Sequence, residues 1–64
     1  MTQKELLYLE DAYMHEENMI GICNLIIDSF EDEDLVTFME KECKSHNNML
    51  EKLEKILKEK ANEW

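Results

Sequence analysis

Proline is absent from this chain of 64 residues, and glycine occurs once, at Gly21. Proline removes a backbone donor and clashes with the preceding helical turn, and glycine loosens a helix through its backbone entropy, so little here interrupts long helices. Long apolar runs are missing too, the longest falling far short of the roughly 20 residues that span a bilayer. No basic segment precedes an apolar core, so neither a membrane span nor a secretion signal is expected, and the protein is expected inside a cell. Cysteine is sparse: Cys23 and Cys43 lack the C-x-x-C spacing of a zinc or redox motif and read as small, reduced core residues. Basic residues are outnumbered 16 to 7 by acidic ones, for a formal charge of −9. That balance repels phosphate backbones and anionic lipid surfaces, which removes nucleic acid and membrane from the expected partners. No nucleophile triad or phosphate-binding loop is present either, so enzymatic activity is not the expectation.

What the chain does contain is periodic. Leu6, Leu9, Tyr13, Glu16, Ile20, Cys23, Ile27 and Phe30 recur at alternating steps of three and four, the spacing that holds one side of a helix. Ala12, Met19 and Ile26 widen this stripe. Thr2 followed by Glu5 reads as a capping box, each side chain satisfying a backbone N–H of the first turn. The polar run Asp28 to Asp34 offers Ser29 and Asp32 as N-cap oxygens, so the chain is expected to reverse there. A second stripe follows in Leu35, Phe38, Met39, Glu42, Cys43, His46, Met49, Leu50, Leu53, Ile56, Leu57, Ala61 and Trp64. These signals predict one helical-hairpin domain over residues 1–64, with helix 1 at about 3–30, a turn at about 31–32 and helix 2 at about 33–63. Glu51 with Lys55 and Glu54 with Lys58, acid first and four residues apart, support the second helix from its solvated side.

A hairpin of two such helices is about 40 Å long at 1.5 Å per residue and cannot cover stripes this wide by itself. The expected completion is a homodimer that closes into an all-α, four-helix bundle. Its core would be drawn from Leu9, Tyr13, Ile20, Cys23, Ile27, Met39, Met49, Leu53 and Ile56.

Ionisable residues stand in the middle of both stripes, where packing alone would favour leucine: Glu16 in the first, Glu42 and His46 in the second. Glu16 and His46 lie at similar distances from the turn, roughly 20 Å, and are expected to face each other. A buried carboxylate without a partner is unfavourable by several kcal/mol, roughly, so something must neutralise it. One candidate is a hydrogen-bonded Glu and His network that fixes helix register. The other is a cation. A twofold dimer would double the set to four carboxylates and two imidazoles, the ligands of a dinuclear iron or manganese carboxylate site. The step from Glu42 to His46 is four residues rather than the three of the usual Glu-x-x-His motif, which would alter that geometry. His15, beside Glu16, is a candidate to orient a ligand from behind. At the turn, Asp28, Glu31, Asp32, Glu33 and Asp34 lack the glycine and regular oxygen spacing of a calcium loop and read as a solvated turn.

Two segments, Lys4 to Glu16 (KELLYLEDAYMHE) and Lys44 to Leu53 (KSHNNMLEKL), resemble the small proteins related to spore coat protein F of endospore-forming bacteria. The resemblance covers most of the chain and keeps the order of the segments across a short acidic turn. It implies a ferritin-like helical architecture, recurrence of the glutamate and histidine at Glu16 and His46, and a place in the spore coat or the sporulating cell, assembled with other coat proteins. Longer members carry a further acidic or histidine residue near the second-helix histidine, where this chain has Cys43, Ser45, Asn47 and Asn48. Leu7, Met14, Ile22 and Leu25 lie off the main stripe of the first helix and offer either a second adhesive surface or scattered exposed residues. Three expectations result: a structural coat-like assembly protein, an iron- or manganese-binding bundle with oxidase or peroxide chemistry, and an adaptor that completes its bundle with helices of another protein.

Overall fold

A computed structural model describes residues 1–61 as two helices, α1 (Gln3–Ser29) and α2 (Glu33–Ala61), packed against each other as a hairpin. The expected continuation of the second helix to residue 63, and Trp64 on its stripe, lie outside the described residues.

Local chemistry sets the ends of the helices. Thr2 is extended and caps α1: its hydroxyl accepts from the Glu5 N–H at 3.1 Å, while its own N–H donates to Glu5 Oε1 at 2.8 Å. These bonds from the Thr2 backbone and then its side chain favour the ionised carboxylate and hold the Glu5 pKa below its ordinary value. At the other end, Phe30 leaves the helical region with φ −94° and ψ 140°, its N–H still donating to the Ile26 carbonyl at 2.9 Å. Two residues later Asp32 caps α2, its Oδ1 accepting from the Leu35 N–H at 3.1 Å. Glu33 and Asp34 in the first turn of α2, and Lys58 and Lys60 in the last, each oppose the partial charge of the nearer helix terminus. On the solvated side of α2, Glu54 and Lys58 close to 3.1 Å.

The hairpin is long and thin, 48 × 15 × 11 Å. Its radius of gyration is 14.7 Å, against roughly 11 Å for a compact chain of this length. Between the helices runs one seam, and among the described residues only Cys23 (1% exposed) and Cys43 (9%) are buried in it. Leu6, Leu9, Tyr13, Ile20 and Ile27 of α1, and Val36, Met39, Leu50, Leu53 and Leu57 of α2, are half-buried. Met19 and Ile26 are half-buried as well, whereas ten large apolar side chains, among them Met49 and Ile56, remain exposed among the described residues. Of the residues expected in a dimer core, Cys23 is therefore already covered by the chain's own second helix, and the rest keep surface available.

Gly21 lies inside α1 on the exposed side, and a Cβ built there would meet nothing within 4 Å. No close approach within the hairpin requires glycine at that point. Gly21→Ala is expected to stabilise the fold by about 0.5–1 kcal/mol through reduced backbone entropy of the unfolded chain, read as a higher midpoint in urea or thermal unfolding.

Candidate functional site

The candidate site is a cross-helix pair at mid-length. Glu16 is the middle residue of α1 and His46 lies one residue from the middle of α2. Both belong to the apolar stripes, so the packing that closes the seam also turns their side chains toward each other. His46 Nδ1 stands 2.5 Å from Glu16 Oε2, a hydrogen bond that the imidazole donates and the carboxylate accepts. The two side chains are 24% and 17% exposed, respectively. Partial exposure lets water solvate the far side of each group, which reduces the desolvation that makes fully buried pairs costly.

Glu42 takes a different place. It is half-buried one turn nearer the loop, and neither a hydrogen bond nor an ion pair joins it to Glu16 or His46 among the described residues. Its charge instead reaches Cys23. The Cys23 thiol has its pKa raised, first by burial and then by the neighbouring Cys43 and Glu42, all three of which disfavour a thiolate. His15 is exposed and makes no hydrogen bond to the pair.

Closer to the turn lies a layer that the sequence reading did not identify. Cys43 Sγ donates to Asn24 Oδ1 at 3.5 Å, and Asn47 Nδ2 donates to the Cys43 carbonyl at 2.9 Å and approaches its sulfur at 3.6 Å. Sulfur is thus held between amides from both helices. The available signal was the four-residue step from Cys43 to Asn47, which puts a side-chain amide over the Cys43 carbonyl. Cys23 and Cys43 are both free thiols.

The arrangement can fix register, because sliding one helix past the other breaks the Glu16–His46 bond and the Asn24–Cys43 bond together. As a metal centre within one chain it is incomplete: among the described residues no three His, Cys, Asp or Glu side chains are placed to hold an ion. A metal would need further ligands from a second copy. The turn acids are exposed, and Asp32 is engaged in capping α2. No helix among the described residues is long and apolar enough to cross a membrane.

Two tests follow from this geometry. A double-mutant cycle on Glu16→Gln and His46→Gln is expected to give a coupling of about 1 kcal/mol in urea unfolding, discounted from the 1.5–3 kcal/mol of a charged hydrogen bond for partial exposure; additive losses would remove the pair from the register argument. The Cys23 thiol, covered and with its ionisation disfavoured, is expected to resist iodoacetamide at neutral pH in the folded state and to react readily in denaturant.

When this chain is compared with known proteins, no family model, no curated protein and no solved structure matches it.

Proposed function

We propose that the chain is a non-enzymatic structural protein that acts as a homodimer, two hairpins closing into a four-helix bundle that serves as a unit of assembly. One observation carries the reading. Among the described residues the hairpin buries two, while ten large hydrophobic side chains stay 40–66% exposed. A single seam of that kind gives too little apolar burial to offset the ordering of two long helices. The accessible surface, 5146 Å², exceeds by roughly 800 Å² what a compact monomer of 7.7 kDa exposes. About the same area per partner is buried in an ordinary stable interface.

Within such a bundle the Glu16–His46 pair serves as a register device rather than a catalytic group, since polar pairs in apolar seams penalise slipped pairings. The resemblance to the small coat proteins supports a place in the spore coat or the sporulating cell. Leu7, Met14, Ile22 and Leu25, all exposed on the back of α1, would be the surface offered to other coat proteins. A second reading rests on the Glu16–His46 contact itself. With Glu42 and the symmetry-related set, these residues would supply the carboxylates and imidazoles of an iron or manganese centre, the metal bringing redox chemistry with it.

Sedimentation equilibrium on protein purified without chelators tests both. The expected mass is twice that of the chain, with a melting temperature that rises with protein concentration and does not change after dialysis against chelator. Phe38→Asp is expected to shift the equilibrium toward an incompletely folded monomer. A stable, cooperatively folded monomer would reject the bundle, and loss of folding on chelation would move the assignment to the metal centre.

A further inference from the structure

The hairpin is two-sided. On α2, Leu35, Phe38, Met49 and Ile56 fall on one line along the helix by their spacing, and all four are exposed. Ile56 lines an open groove of about 520 Å³ near the free end of the hairpin together with Tyr8 and Leu9 of α1, Met1, Glu5 and Lys60. That shared groove puts the α2 line and the exposed Tyr8 on the same side of the molecule, and about three and five turns further along α1 the half-buried Met19 and Ile26 follow on that side. The result is a largely apolar face along the hairpin, interrupted on α2 by the half-buried Glu42, seven residues from both Leu35 and Met49, and separate from the seam in which Cys23 and Cys43 are buried. The Asn24–Cys43–Asn47 bonds leave the opposite side of the seam more polar.

Charge is distributed unevenly along the same long axis. Asp28, Glu31, Asp32, Glu33 and Asp34 crowd the turn with no lysine among them, and all are exposed. Toward the free end Lys4 on α1 and Lys52, Lys55, Lys58 and Lys60 on α2 stand among Glu5, Glu10, Asp11, Glu51, Glu54 and Glu59, so that end is close to neutral. A second hairpin laid on the apolar face has two senses available. Placed turn to turn, it would bring the acids of both chains together at one end of a bundle about 20 Å across, within roughly two Debye lengths at physiological salt. Placed turn to free end, it keeps the two acidic turns apart and sets each beside the near-neutral, lysine-bearing end of the partner.

From this we infer that the face carrying Phe38, Met49, Ile56 and Tyr8 binds a second copy of the chain in the antiparallel sense, each acidic turn lying against the lysine-bearing end of the other hairpin. The inference rests on the homodimer proposed above and adds its face and direction. The mid-level position of the Glu16–His46 hydrogen bond is compatible with it. In an antiparallel twofold dimer only the mid-level of each hairpin meets its own copy, and the Glu16–His46 pair occupies that level.

Pulsed electron paramagnetic resonance on Glu31→Cys carrying a nitroxide label, with sedimentation run on the same sample, tests the direction. Glu31 is exposed at the turn, whereas Cys23 and Cys43 are buried and remain unlabelled. The antiparallel dimer is expected to give an interlabel distance of about 40 Å, the length of the helices. A dimer with labels less than about 25 Å apart, roughly the width of a bundle, would overturn the antiparallel sense and leave the homodimer standing. A monomer in sedimentation would remove both. As a check on the face, Met49→Lys is expected to abolish the dipolar signal together with dimerisation, while Leu25→Lys on the back of α1 leaves both in place; the reverse pattern would overturn the choice of face.

Discussion

Two helices in contact share one seam, and that geometric limit governs the rest of this molecule. Each helix presents apolar residues over a wider arc than the other can cover, so among the described residues closing the seam fully buries only the two cysteines and leaves the apolar residues beside them half-exposed. Packing density of the kind found in larger cores is out of reach with two elements of this length. Within the hairpin, stability then draws on helix ends that satisfy their own backbone groups and on a few directional bonds across the seam, beside the partial burial of the apolar stripes. The first two are visible in the chain itself, in the Thr2–Glu5 and Asp32 caps and in the Glu16–His46 and Asn24–Cys43 bonds.

Those directional bonds differ in what they contribute. A hydrogen-bonded pair that stays partly wet is worth little in absolute stability, but it discriminates between registers, because a shift of one turn leaves a carboxylate facing hydrocarbon. Cys43 serves differently: as a small apolar group it lets the helices approach closely, and its weakly polar sulfur tolerates amides on both sides.

Much of this was legible from residue order, and the reasons are specific. Thr2 and Glu5 announce a capping box by spacing alone, and Asp32 stands at the one point where a polar run meets the second apolar stripe. Counting levels from the turn brought Glu16 opposite His46, because rise per residue is nearly invariant in helices. Less legible was how each stripe divides. Leu50 and Leu53 point into the seam while Met49 and Ile56, on the same stripe, look outward; periodicity gives the arc of a helix but not the angle at which a neighbour meets it. Glu42 illustrates the same gap, since sharing a face with His46 did not bring it to Glu16. The Asn24 amide at Cys43 was hidden for another reason, as a side-chain rotamer rather than backbone spacing decides where it points.

The midpoint location of the Glu16–His46 bond has a consequence for how the hairpin opens. Thermal fraying starts at helix ends, here at the Thr2 cap and Ala61 on one side and at the loop around Phe30 on the other. A clasp next to the loop would leave two long free arms, whose tips separate easily. Placed at the centre, it divides the hairpin into two short halves, each tethered at its inner end, so neither half needs to carry the loosening of the other. The molecule then breathes from both extremities toward its waist, and the amide protons of the residues flanking the clasp are the last to exchange with solvent.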